Sequence, residues 1–229
     1  MCNETGLSFG LQHLTSASIA GRSVLEVGAR QVQQPWISLR PHVEVLRPGQ
    51  YVGVDIAAGA GVDIVCPAEQ LVDRFGAQSF DVVLCTEMLE HVEDWRTVIS
   101  NLKRVLRPGG ILLLTTRSVG FPYHAWPHDH WRFQLEDMRE LFADCENVVL
   151  QDDAKEPGIF VLARRPEVWT ERTPALAIHS VVTGRRRLDI PRVRTFLFTS
   201  WIGMRRRYVA AVPLPVRRFV NRLLLRRPA

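Results

Sequence analysis

The 229-residue sequence predicts an α/β fold: a doubly wound, seven-stranded sheet with an antiparallel edge, followed by a basic helical extension. Three observations predict it. Short apolar runs recur through the first 163 residues, separated by turn residues or by segments of helical spacing, as alternating strands and helices require. Two of these runs, Val24-Leu25-Glu26-Val27-Gly28 and Tyr51-Val52-Gly53-Val54-Asp55, carry an acid at their ends. Buried parallel strands look like this where they open onto a ligand at their carboxyl edge. Charge then divides the chain. Met1–Ala163 holds 13 Lys+Arg against 21 Asp+Glu, a net −8, whereas Arg164–Ala229 holds 16 Arg against 3 acids, a net +13. Residues 1–163 are expected to form one domain and residues 164–229 a basic amphipathic extension.

The elements follow in order. Residues 7 to 20 read as a short leading helix and Ser23 to Val27 as the first strand. The crossover helix, Gln31 to Arg40, is interrupted by Pro35 and followed by Pro41, so it is short or broken. Tyr51 to Asp55 is the second strand and Val62 to Val65 the third, and Glu69 to Phe75 is a helical turn or two that stops at Gly76. Phe80 to Cys85 is the fourth strand. A helix from Trp95 to Val105 follows, capped by Asp94, with Val98, Leu102 and Val105 on one face. Pro108-Gly109-Gly110 turns the chain into a wholly apolar fifth strand, Ile111 to Thr116. A loop from Arg117 to Phe133 precedes a helix from Leu135 to Phe142, and Asn147–Gln151 with Ile159–Ala163 closes the sheet as a hairpin-like pair.

Composition excludes several classes. With 46% hydrophobic and 23% charged residues the chain is globular rather than disordered. Met1 to Gly10 lacks the basic start and apolar core of a secretory signal, and no apolar stretch approaches the ~20 residues that span a bilayer. Cys2, Cys66, Cys85 and Cys145 form no C-x-x-C pair, as expected of free thiols in a reducing cytoplasm. At the ligand edge, Asp55 is placed to accept hydrogen bonds from both hydroxyls of a ribose.

The order and spacing of Glu26-Val27-Gly28, Asp55, Phe80-Asp81-Val82-Val83, Glu87-Met88-Leu89-Glu90-His91-Val92 and Leu106-Arg107-Pro108-Gly109-Gly110 resemble the class I S-adenosylmethionine-dependent methyltransferases over residues 20 to 163. The resemblance implies a Rossmann-like fold and S-adenosylmethionine as cofactor. It implies that Gly28 admits the methionine part of the cofactor, that Glu26 meets its amino group directly or through water, and that Asp55 holds the ribose. Ala68 and Glu69 fall to the adenine side, where Pro67 stands in place of the family's usual acid. Glu87 and Met88 line the methionine and adenine side, and His91 lies in the first turn after strand four, to orient the loop or to touch substrate. Arg30 replaces the second glycine of the first loop.

The loop Gly120 to Phe133 leaves the fifth strand where an acceptor pocket belongs, and it resembles the H-x-x-P-x-D-x-W-R-F stretch of methyltransferases that act on glycans and secondary metabolites. An enzyme of this kind mainly aligns a nucleophile, and a hydroxyl acceptor also gains from losing its proton. His128 and His130 are the candidate bases, with Asp129 to orient an imidazole or bind a sugar hydroxyl. The alternative is a folded loop in which Asp129 pairs with Arg132. His124, His128, Asp129 and His130 offer metal-ligand chemistry, but the order H-x-x-x-H-D-H matches no structural zinc pattern and methyl transfer requires no metal, so none is expected. The function expected is O-methylation of a small-molecule, glycan or secondary-metabolite hydroxyl. The alternatives are N-, C- or RNA methylation, or a catalytically inactive cofactor-binding partner.

In the extension, Arg185-Arg186-Arg187, Arg205-Arg206-Arg207, Arg217-Arg218 and Arg226-Arg227 alternate with apolar stretches, and Val216, Phe219, Val220, Leu223 and Leu224 share a helical face. Residues 196–227 are expected to make peripheral membrane contact or to pack back on the acidic domain. Nucleic acid is disfavoured, because neither an aromatic stacking platform nor a known binding fold is present. The expected location is the cytoplasm, at the inner membrane surface if the extension binds it.

Overall fold

The computed structural model describes residues 3–32, 37–124, 128–190 and 192–211, with backbone alone for residues 203 and 205–211. Its contacts divide the chain into two units, Met1–Leu188 and Asp189–Ala229.

The first unit begins with two short helices, α1 (Glu4–His13) and α2 (Ser16–Ile19). The strands and helices that follow are β1 (Ser23–Val27), α3 (Arg40–Val45), β2 (Gln50–Asp55), β3 (Ile64–Val65), α4 (Leu71–Phe75) and β4 (Phe80–Thr86). Then come α5 (Trp95–Arg104), β5 (Leu106–Arg117), β6 (Trp131–Arg132), α6 (Leu135–Leu141), β7 (Glu146–Asp152) and β8 (Gly158–Arg164). Two further strands, β9 (Ile178–Ser180) and β10 (Arg185–Arg187), complete it.

The main sheet has seven strands in the order β3-β2-β1-β4-β5-β8-β7. The first five are parallel, and β8 runs antiparallel to β5 and to β7, which is the expected antiparallel edge. Strand order reverses between β1 and β4, so the sheet has its switch point beside the carboxyl end of β1, where open α/β sheets bind ligands.

Apolar burial explains why these runs become central strands. Phe9, Leu14, Ile19, Leu39 and Val43 cover one face of the sheet, against Val24, Val82, Leu84, Leu113 and Phe160. Elsewhere α5 buries Trp95, Val98, Ile99 and Leu102. As expected, Asp94 caps α5, its Oδ1 accepting from Thr97 N at 3.1 Å. Gly76 ends α4 at φ +80°.

Three local expectations are revised. The crossover helix is α3, which starts at Arg40 and holds Pro41 in its first turn, because proline is tolerated in a helix's first turn and not in its interior. The interrupted stretch around Pro35 is outside the described residues. The third strand shrinks to two residues, Ile64–Val65. Residues 164–188 also belong with the first unit rather than with the basic extension that a boundary at 163/164 would give them. In that segment β9 pairs with β6 and β10, and Arg186 ion-pairs with buried Asp137. Arg96 hydrogen-bonds the carbonyls of Leu176 and Leu188 at 2.9 and 2.8 Å.

In the second unit the described element is one helix, α7 (Arg192–Ala211). Val193, the Phe196–Leu197 pair, Trp201 and Met204 recur every three or four residues along it and are half to three-quarters exposed. No helix among the described residues is long and apolar enough to cross a membrane. The apolar face expected from Val216 to Leu224 lies outside the described residues.

Candidate active site

A cavity of about 880 Å³ opens at the carboxyl ends of β1, β2 and β4. Of the expected cofactor residues, Gly28, Asp55, Ala68, Glu69, Glu87, Met88 and His91 line it. Gly28 sits at φ +79°, and a Cβ there would fall 2.8 Å from the Cβ and Cγ of Met88. A side chain would therefore be strained in its backbone and would push Met88 into the space a ligand needs. Asp55 ends β2 with its carboxylate accepting from Arg30 N (3.3 Å) and Ala57 N (3.2 Å), which fixes its orientation while leaving lone pairs for further donors. On the adenine side, Asn101 from α5 donates to the carbonyls of Ala68 (3.1 Å) and Glu69 (2.6 Å) and pins the helical turn there. Sequence reasoning missed Asn101, because nothing local to α5 shows that its side chain reaches the turn after β3.

Glu26 is not brought into the cavity. It is 3% exposed, and its Oε2 accepts from the Tyr51 hydroxyl at 2.9 Å. Burial raises its pKa against the opposing pull of Tyr51. Strand alternation explains this placement, since Glu26 shares the face of β1 that holds Val24 in the core, and only the strand end at Val27–Gly28 reaches the cavity.

Just past β4 the chain turns sharply, with Glu87 at φ +51°. Glu87 accepts from Thr115 Oγ1 at 2.9 Å and ion-pairs with Arg117, which also holds Glu156 at 2.9 Å. Burial, aided by the charge of Glu90, pushes the Glu87 carboxyl up to about 7. Glu90 is fully buried. Burial would raise its pKa too, but the imidazoles of His124 and His91 beside it hold it low, so it is the acid of this pair that stays ionised.

The aromatic and histidine loop is organised by Asp129 and Arg132. Arg132 grips Asp129 with two hydrogen bonds of 2.5 and 2.6 Å and also donates to the carbonyls of Phe121, Pro122 and Trp131. Asp129 further accepts from His124 N at 2.8 Å and pairs with His124 Nδ1 at 2.9 Å. Burial opposes its charge, yet the bonds from Arg132 and His124 outweigh it and hold the carboxyl well below the usual carboxylate range. Asp129 therefore orients an imidazole, as expected of it, but that of His124 rather than of His128 or His130. It does not line the cavity, so no sugar hydroxyl is offered to it there.

His128 and His130 do line the cavity, with ring centroids 5.6 Å apart. His130 is buried, and burial pulls its pKa down to about 4, which keeps it neutral at physiological pH and makes it a weak base. The residue the sequence did not single out as a base is His124. Burial works against its charge, but the hydrogen bond to Asp129 and the nearby charge of Glu90 raise it to about 9. His91 meets this group from the other side, its Nδ1 2.5 Å from the carbonyl oxygen of His128. The site can thus hold a cationic, ribose-bearing ligand against carboxylates at one end and present four imidazoles to an acceptor at the other.

Comparison with known proteins bears on the domain and the fold. A family model described as a methyltransferase domain matches residues 38–114. Ubiquinone biosynthesis O-methyltransferases from Idiomarina loihiensis and Chromobacterium violaceum are 34% identical over 128 residues and 31% identical over 113 residues. These matches cover 50% and 44% of this chain and 49% and 46% of the relatives, so the chain spans about half the length of the curated relatives it matches. Among solved structures, a Burkholderia thailandensis 1,6-didemethyltoxoflavin-N1-methyltransferase, determined with its substrate and S-adenosylhomocysteine, aligns with a TM-score of 0.53 at 15% identity. It covers 71% of this chain and 77% of its own. An S-adenosylmethionine-dependent methyltransferase from Mesorhizobium loti gives 0.52 at 14% identity, covering 71% of this chain and 99% of its own. Residues 38–114 thus match a methyltransferase domain, and the chain has the fold of class I, S-adenosylmethionine-dependent methyltransferases.

Proposed function

We propose that the chain is an S-adenosylmethionine-dependent methyltransferase that methylates a hydroxyl of a small molecule or glycan. One observation carries this reading: a single cavity joins the Gly28, Asp55 and Glu87 end to the histidine cluster. The residues fit the cofactor. Gly28 leaves open the space a Cβ would fill, and the Asp55 carboxylate keeps lone pairs for a ribose beyond its two backbone donors. When bound, S-adenosylmethionine supplies an activated methyl group. What this chain's own residues contribute is alignment and the exclusion of water, with His128 and His130 placed beside an acceptor. The partial similarity to ubiquinone biosynthesis O-methyltransferases favours oxygen as the methylated atom. The test supplies methyl-labelled S-adenosylmethionine and a cell extract, then fractionates the products. Label in a small-molecule or glycan ether is expected. Label in RNA, on nitrogen or on carbon overturns the oxygen assignment, and no label in any fraction from a protein that binds the cofactor makes it an inactive binding partner.

We also propose that the extension lies on an anionic membrane. The spacing of Val193, Phe196, Leu197, Trp201 and Met204 supports it, together with the run Arg205-Arg206-Arg207. Exposed aromatics and leucines suit an acyl boundary, and each nearby cation adds about 1 kcal/mol at an anionic surface. Full-length protein should sediment with phosphatidylserine-containing vesicles at physiological salt. Phe196→Asp with Trp201→Asp should abolish this, as should a chain ending at Leu188, which keeps every strand of the first unit. Equal sedimentation of the double variant would show that the face does not enter lipid.

A further inference from the structure

We propose that Glu90, His91 and His124 form a binding site for one divalent transition-metal ion, of the kind Zn2+ represents, with an open coordination position on the cavity. The three can each offer one ligand atom, and those atoms lie within 4.8 Å of one another. Glu90 Oε1 lies 3.8 Å from His91 Nε2 and 3.6 Å from His124 Nε2. It is fully buried and has no hydrogen-bond partner among the described residues, although buried polar atoms almost always have one. A direct charge-assisted bond to either imidazole would close to about 2.7–2.9 Å. The observed gaps suit an ion between the groups: four-coordinate Zn2+, with bonds near 2.1 Å, sets its ligand atoms about 3.4 Å apart.

The surroundings of the three residues carry the proposal further. His91 Nδ1 faces the carbonyl oxygen of His128 at 2.5 Å, and a carbonyl can only accept, so Nδ1 donates there and, in the neutral ring that a metal selects, Nε2 carries the lone pair that would bind. His124 Nδ1 likewise faces Asp129 Oδ2 at 2.9 Å. Metal-bound histidines are oriented in this way, by a carbonyl or carboxylate on the other ring nitrogen. Asp129 is itself fixed by Arg132. The second oxygen of Glu90 accepts from Thr116 Oγ1 at 2.9 Å, leaving Oε1 as the single ligand atom. Two imidazoles and one carboxylate match the three-ligand sets of catalytic zinc and of non-haem iron. His91 and His124 line the cavity, so the remaining position faces it.

This assigns the Asp129–His124 pair and the motif acid Glu90 a task that a purely structural loop leaves unexplained. It also departs from the expectation that the loop binds no metal, because two of the three ligands come from the segment after β4. An acceptor hydroxyl entering the open position would coordinate through oxygen and release its proton to solvent, a step that bound metal makes accessible near neutral pH. That last part rests on the methyltransferase reading, whereas metal binding does not.

The experiment strips the full chain with chelator and titrates Zn2+ and then Co2+, following heat, metal content after gel filtration and the visible absorption of Co2+. S-adenosylhomocysteine binding is measured on the same samples. One equivalent of metal per chain is expected, with Co2+ absorption of low-symmetry geometry. Glu90→Gln and His124→Gln should lose the retained metal while still binding S-adenosylhomocysteine. Asp129→Asn, a positioning change, should weaken metal binding about 10- to 100-fold. Loss of metal in variants whose circular dichroism and cofactor binding match wild type supports the site. No stoichiometric metal on the wild type, or equal retention by Glu90→Gln, overturns it even where cofactor binding stands. Metal binding without any cofactor binding would instead defeat the methyltransferase reading and leave the metal site intact.

Discussion

At the residue scale, Asp81 shows how one side chain serves several strands. Its Oδ2 accepts from Ser23 N (2.8 Å), Ser23 Oγ (2.7 Å) and Arg107 Nη1 (2.8 Å), so the amino ends of β1, β4 and β5 are held by one carboxylate. Burial would raise its pKa, but Ser23 and Arg107 outweigh this and lower it. A carboxyl depressed in the folded state stabilises the protein above its unfolded value, about 3.9, and that stability is lost as pH falls through the folded value. Asp81→Asn should cost about 1–3 kcal/mol at pH 7, the range for hydrogen bonds to a charged group. Its difference from wild type should shrink at low pH. Urea midpoints at pH 7 and near pH 3 check this, and an equal difference at both would refute the role given to Asp81. The sequence singled out Asp81 as part of a motif. Its bonds to Ser23, 58 residues away, have no local trace and come only with the fold.

At the scale of elements, legibility followed burial. The apolar runs within β4, β5 and β8 stand where spacing put them, because burial on both faces writes an unbroken pattern, but β5 begins at Leu106, five residues before its expected start, and carries Pro108-Gly109-Gly110 within the strand rather than as the turn expected there. The short pairing of β6, β9 and β10 was invisible. Strands of two or three residues carry no period, and β10 is three consecutive arginines. The glycine-edge residues of the site were legible for a related reason, since strand ends dictate where Gly28, Asp55 and Glu87 fall. The histidine loop was only half legible. Its composition marked an acceptor region, but composition has no direction in space, and it did not show that Asp129 would serve His124. Nor could alternation by itself decide that Tyr51 would claim Glu26.

For the molecule as a whole, charge and contact draw different boundaries. The count of arginines changes at 163/164, whereas contacts keep residues 164–188 with the sheet, where several of the arginines meet acids and carbonyls of the first unit. Composition thus marked a basic segment without marking where the fold ends. We propose that the cavity at the switch point of the sheet binds S-adenosylmethionine through the end of β2. Calorimetric titration of the full chain with S-adenosylmethionine, for wild type and for Asp55→Ala, tests it most directly. One site per chain is expected in the wild type, and an affinity lower by about 1.5–3 kcal/mol in a folded Asp55→Ala variant. Absence of binding to the wild type, or unchanged affinity in the variant, would contradict it.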